Sequence, residues 1–258
     1  MRKPILILVL AVLVIYSTVL LVTVKGAYPG YTINNYRAIT VPTMDGNWSP
    51  VDEWADAEEK ELDGSLTVYF RIKWKLESGK SFNYVLIDFV NDTTYDAGDK
   101  WSICIDAQHD GGSSPQPDDY EIILTGHSIS GIEVFRGNGS GWTKITDYDL
   151  GADFAIVNSL SSSPHLSTQH WVCEIMLNAT YFDLLNNFCV RITAYDASSV
   201  ASNQCWPGPS YDFVPDDWGE TITVFENIPE FPPAIALMTL MAISLQLVYL
   251  FRTRRKQK

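Results

Sequence analysis

Apolar and polar side chains alternate along most of the chain from residue 66 to residue 225. In Leu66-Thr67-Val68-Tyr69-Phe70-Arg71-Ile72-Lys73-Trp74-Lys75 the even positions are apolar and most odd ones polar, which predicts a strand with its even face inward. Residues 82–90 predict a second strand, more apolar and so more buried. In a third, Trp101, Ile103 and Ile105 alternate with Ser102, Cys104 and Asp106. Further strands are expected at 120–124, 132–135, 143–146, 154–157, 171–177, 188–195 and 221–225. Asp110-Gly111-Gly112, Gly137-Asn138-Gly139-Ser140-Gly141, Ser161-Ser162-Ser163-Pro164 and Pro207-Gly208-Pro209 are turn signals between them. Only residues 179–186 suggest a short helical turn. Many short strands separated by turns predict an all-β fold, an antiparallel two-sheet β-sandwich of jelly-roll type.

The alternation stops at both ends. Arg2 and Lys3 precede an apolar stretch from Pro4 to Val24, the arrangement of a secretory signal or signal anchor over residues 1–26. At the other end a Pro-rich stalk, 227–233, leads into eighteen uncharged residues at 234–251 and a basic tail at 252–258. That apolar run approaches the roughly 20 residues a helix needs to cross a bilayer, and the basic tail is expected to stay cytoplasmic. The sandwich at 43–226, preceded by an N-terminal extension at 27–42, is therefore expected outside the cell, flanked by N- and C-terminal membrane or signal helices. Pro229-Glu230-Phe231-Pro232, a hydrophobic helix and an Arg/Lys cluster resemble the PEF-type C-terminal sorting signals of archaeal surface proteins. That resemblance implies an archaeosortase-type processing enzyme as a partner.

Charge sharpens the partition. Residues 27–233 hold all 31 acidic residues but only 10 of the 18 Lys and Arg, a net −21 against −13 for the whole chain. Such a surface repels polyanions and argues against nucleic-acid binding. Of four sequons, the one at Asn47 is compromised by Pro50, leaving Asn91, Asn138 and Asn178 as candidate glycosylation sites. Four cysteines in an exterior domain permit two disulfides in three connectivities. Cys173 shares a face with Trp171, Ile175 and Leu177 and reads as core.

Asp45-Gly46-Asn47-Trp48 followed by Asp52-Glu53-Trp54-Ala55-Asp56-Ala57 resembles the opening of family 9 carbohydrate-binding modules. Later pieces of that family's pattern follow in order: residues 82–92, Gly98 to Asp106, Trp171-Val172-Cys173-Glu174-Ile175, and Trp218-Gly219 before the last strand. The resemblance covers residues 43 to 226. It implies a non-catalytic sandwich that clamps a sugar between two aromatic rings, one before the Gly98-Asp99 strand and one in the loop before the last strand. Trp206 falls at the second place. At the first stands Asp96, with Tyr95 beside it. Ser102 also replaces the family's usual Glu.

Sugar recognition uses flat aromatic faces rimmed by hydrogen-bonding groups. The expected set is Trp206, Tyr95 and Tyr211 for stacking, with Asp96, Asp99, Gln204 and Asp212 for hydroxyls. Trp142 reads as cover for a sheet edge, and Trp48 and Trp54 as core. Asp92, Asp96 and Asp99 gather oxygen ligands of the kind calcium prefers, although their spacing is not that of an EF-hand. His109, His127, His165 and His170 lie in turns or at strand ends, and no nucleophile-elbow or phosphate-loop motif is present, so no enzymatic activity is expected. Two alternatives stand beside the sugar-binding reading. One is a haem b electron-transfer domain, with Met44, Met176 or a His as axial ligand. The other is a structural cell-envelope protein without a small ligand.

Overall fold

A computed structural model describes residues 27–48, 53–199, 204–208 and 210–225. The expected signal segment, the stalk at 227–233, the apolar run at 234–251 and the basic tail lie outside these residues. Among the described residues no helix is long and apolar enough to cross a membrane.

Among the described residues thirteen strands form the domain. The first four are β1 (Thr32–Arg37), β2 (Glu58–Glu61), β3 (Val68–Glu77) and β4 (Lys80–Phe89). Then come β5 (Lys100–Asp106), β6 (Asp119–Thr125), β7 (Ile132–Gly137), β8 (Trp142–Ile145) and β9 (Phe154–Ser161). The last four are β10 (His170–Asn178), β11 (Asn187–Tyr195), β12 (Gln204–Trp206) and β13 (Gly219–Val224). They pair in the order β8-β7-β6-β5-β11-β13-β1-β3-β4-β10-β9, with β12 on β11 and β2 on β3. The result is a single curled sheet whose two halves face one another as a sandwich. All the pairings are antiparallel except those of β1, which runs parallel to β13 on one side and β3 on the other. That strand is the hinge between the halves.

Residues 27–42 are thus not an extension: they supply β1. Its sequence, Thr-Ile-Asn-Asn-Tyr-Arg, hides the strand because only Ile33 is apolar among its buried residues. Asn35 takes the next inward place, buried, and donates through Nδ2 to Asn83 Oδ1 at 2.7 Å. β2 is Glu-Glu-Lys-Glu and β12 is three residues long, so neither shows a period-two signal. Residues 179–186 form turns, with Phe182 N–H bonded to Asn178 O at 3.2 Å.

The main core lies between the halves. Val68, Phe70 and Ile72 of β3 meet Ile103 and Ile105 of β5 and Val190 and Ile192 of β11 there. The odd positions of β3 do not face open water as their polarity predicts. Residues 38–48 and 53–57 cover that outer face and build a second apolar cluster around Trp54, Tyr84, Leu86 and Val172. Lys73 is buried beneath this cover and donates from Nζ to Asp56 Oδ1 at 2.8 Å, to Thr40 O at 2.9 Å and to Glu53 O. Burial lowers its pKa, and Asp56 opposes that.

Glu174 of β10 explains the opening motif. Its Oε2 accepts from the backbone N–H of Asp45 (3.0 Å) and Gly46 (2.8 Å), and its Oε1 from the Trp54 indole (3.0 Å). One buried carboxylate therefore pins the covering segment at two points, the Asp45-Gly46 turn and Trp54. Gly46 has φ +74, and a Cβ there would meet Asn158 C at 2.7 Å, so the turn requires glycine.

Candidate functional site

The loop between β4 and β5 docks on β10 and on the loop after β11. Trp171 donates its backbone N–H to Asp92 O at 2.9 Å and its indole N–H to Thr94 O. Asp99 Oδ1 accepts from Ala197 N at 2.9 Å, and its Oδ2 from Asp96 N at 3.2 Å. Thr94 Oγ1 donates to Asp96 Oδ2 at 2.6 Å. The loop is thus fixed from both sides.

An aromatic stack stands on this loop. His127 lies flat on Trp171 with ring centroids 3.5 Å apart, and Trp101 meets it edge-on at 5.2 Å. Asn158 Nδ2 lies 3.3 Å from His127 Nδ1 and serves as the donor there. His127 Nε2–H then donates to Asp99 Oδ2 at 2.9 Å. Asp99 so sets the orientation of the imidazole. Tyr95 packs on the stack, 4.6 Å from His127 and 6.0 Å from Trp171, and stays 72 % exposed. It is a held, open aromatic surface.

The same loop gathers carboxylates. Asp92, Asp99 and Asp196 are all buried, and each presents an oxygen within 4.8 Å of the others. Asp92 Oδ2 is buried without a hydrogen-bond partner. Burial, then the charge of Asp99, pushes the Asp92 carboxyl up to about 7. A cluster of hard oxygen donors with one unpartnered member fits a calcium ion. The expected third ligand, Asp96, is instead engaged by Thr94. Asp196, nearly a hundred residues further on in sequence, takes that place and is brought in by β11 pairing with β5.

The other expected sugar contacts fall elsewhere. Trp206 is only 3 % exposed: it packs against Phe70 (ring centroids 5.0 Å apart) and Tyr31 (5.9 Å) in the main core. A Cβ on Gly219 would lie 2.3 Å from its ring, so glycine before the last strand makes room for this tryptophan. No face of Trp206 is open to a sugar. Gln204 is buried as well and accepts from Leu66 N at 3.0 Å. Tyr211 is 67 % exposed over the outer face of the β5–β6–β11 half, beside the half-buried Asp212. On that face Glu121 and Arg191 are the cross-strand neighbours of Cys104. Burial, then Asp212, pushes the Glu121 carboxyl up to about 7. Trp142 stacks on buried Trp218 with ring centroids 6.3 Å apart, as cover for this face.

Asn91 and Asn138 are exposed, whereas Asn178 is buried with its Nδ2 donating to Ala152 O at 3.1 Å, which leaves no room for a glycan there. The four cysteines are buried, and the structure joins none of them in a disulfide. Met44 and Met176 pack into the second apolar cluster with Trp54 and Tyr84. The histidines were not legible as partners of acids in the sequence. His170, buried on the outer face, holds Asp88 Oδ1 through Nε2 at 2.6 Å and Thr168 O through Nδ1 at 2.8 Å. Burial pulls its pKa down, but these two acceptors outweigh burial and raise it.

No protein-family model and no curated protein matches the sequence. Among solved structures, the chain is similar to a carbohydrate-binding module family 9 from Caldicellulosiruptor kristjanssonii, seen in complex with cellotriose and in complex with glucose. Each comparison gives a TM-score of 0.51 at 15 % identity and covers 77 % of this chain. The matches span 96 % of the cellotriose complex and 100 % of the glucose complex. At that identity the likeness is one of fold, and the fold is that of a family 9 carbohydrate-binding module.

Proposed function

We propose that this domain is a non-catalytic carbohydrate-binding module carried on the outside of a cell. The observation that carries the reading is Tyr95, an exposed ring preset against His127 and Trp171 on a loop locked by Asp99. A ring held in place before the ligand arrives loses little entropy on stacking, which favours weak ligands such as sugars. Asp96 and Thr94 stand beside it as hydrogen-bonding rim. The fold shared with modules seen holding cellotriose and glucose supports the same reading.

Calcium at Asp92, Asp99 and Asp196 would neutralise the crowded carboxylates and stiffen the loop that bears Tyr95. Surface display rests on the apolar runs at 1–26 and 234–251 and the basic tail, and processing by an archaeosortase-type enzyme on the Pro229-Glu230-Phe231-Pro232 signal. The test is retention of the full-length chain, in a detergent without a sugar headgroup, on a panel of immobilised polysaccharides. Retention on at least one glycan, reversed by its soluble oligosaccharide, is expected. A folded chain that passes through every glycan column contradicts the reading.

A further inference from the structure

Among the described residues Lys73 is the one lysine with no exposed surface. It stands on the outer face of β3 under the covering segment, with the Trp54 ring centroid 5.1 Å from its Nζ. Three acceptors fix that nitrogen: Asp56 Oδ1 at 2.8 Å, Thr40 O at 2.9 Å and Glu53 O. The second Asp56 oxygen, Oδ2, accepts the Ile39 N–H at 2.5 Å. The Lys73 side chain is 0 % exposed and that of Asp56 13 %. An amine and a carboxyl are thus pressed together, each held by the backbone around it.

An ion pair is a costly occupant of such a place, because both charges have given up water for a single contact. Burial lowers the Lys73 pKa against the pull of Asp56 and then Glu53, and Lys75 lowers it further. The Glu53 carboxyl, raised by burial, is the second acid acting on Lys73, and its Oε2 is buried without a hydrogen-bond partner. Passing one proton from Nζ to Oδ1 along their hydrogen bond turns the pair into a neutral amine beside a neutral acid. A desolvated lysine amine is a nucleophile. A nitrogen bonded to one carboxyl oxygen also lies close to the carbon between the two, near the about 3–3.5 Å from which such attacks start.

We propose that Lys73 and Asp56 condense into an intramolecular amide bond that locks the covering segment to β3. Neutral Nζ attacks Asp56 Cγ, and the Ile39 N–H on Oδ2 faces the oxygen on which negative charge develops. Oδ1, already carrying the first proton, takes a second one from Nζ and leaves as water through the partly exposed side of Asp56. One C–N bond forms and one C–O bond breaks. Nothing is oxidised or reduced, and no co-reactant enters. The product is neutral, and its N–H still has the Thr40 and Glu53 carbonyls to donate to. A cross-link between positions 56 and 73 also removes freedom from the unfolded chain, so the cover is held more firmly than by the ion pair. The inference is independent of sugar binding and of surface display.

The test is peptide mapping by tandem mass spectrometry of the full-length chain, denatured and digested with trypsin, beside the Asp56→Ala variant. Trypsin cuts after Arg and Lys, so an unlinked chain releases residues 38–60 and 72–73 as separate linear peptides. The linked chain resists cutting at Lys73. It is expected to give a branched peptide that joins 38–60 to 72–75, with the mass of the two less one water, and fragment ions that place the junction at Asp56 and Lys73. Asp56→Ala is expected to give only the linear peptides, a result that can be read whether or not the variant folds. A parent chain that yields only linear 38–60 and 72–73 overturns the proposal. So does a branched peptide that persists in Asp56→Ala, which would place the junction on another acid.

Discussion

At Glu174 three N–H donors meet one buried carboxylate, and burial still outweighs them. The carboxyl is pushed up to about 7 from its ordinary 4.5. The folded domain therefore holds this proton more tightly than the unfolded chain does. Its contribution to stability is greatest below about pH 4.5 and is lost as pH rises toward 7. Glu174→Gln removes that titration while keeping an oxygen for the Asp45 and Gly46 N–H groups, at the expense of the Trp54 bond. Melting temperature measured across that window is expected to fall less steeply with pH in the variant than in the parent. An equal slope would contradict the assignment. The sequence exposes Glu174 only as a charge on the face of its strand opposite Trp171, Cys173 and Ile175. Its partners, more than a hundred residues earlier, become visible only once β10 and the covering segment are folded together.

Among the elements, strands with alternating chemistry were legible and those without it were not. Residues 82–90 and 171–177 announce β4 and β10 because Val85, Ile87 and Phe89 in the one and Trp171, Cys173, Ile175 and Leu177 in the other give apolar inward runs. β1 and β2 are polar in sequence because their buried places are filled by Asn35 and by half-buried Glu and Lys. The candidate site divides in the same way. Tyr95, Asp92 and Asp99 are contiguous and could be read together, whereas Asp196 joins them only through β-sheet pairing. Trp206 reads as a loop residue because Pro207, Gly208 and Pro209 follow it, yet it fills the core where Gly219 leaves space. Trp206→Ala is expected to destabilise the domain by about 3–5 kcal/mol in denaturant unfolding. Tyr95→Ala, whose ring is mostly in water, is expected to cost well under about 1 kcal/mol. Equal losses for the two would contradict these placements.

Over the whole molecule, the sandwich separates tasks by location. The inner core and the outer cluster around Trp54 hold the fold, and Glu174 and Lys73 fasten the cover to the sheet. The loop before β5 carries the crowded acids Asp92 and Asp99 and presents Tyr95. A single exposed ring gives modest affinity, but many copies on one surface would bind a polymer with avidity, each later contact being effectively intramolecular. Net charge of −21 over residues 27–233 keeps such copies apart and soluble. The most direct test of this account is calorimetric titration of the full-length chain with the oligosaccharide that elutes it from its column, compared with Tyr95→Ala. The account predicts affinity lowered about tenfold or more with melting temperature nearly unchanged. Undiminished affinity in Tyr95→Ala would show that the sugar binds elsewhere and would contradict it.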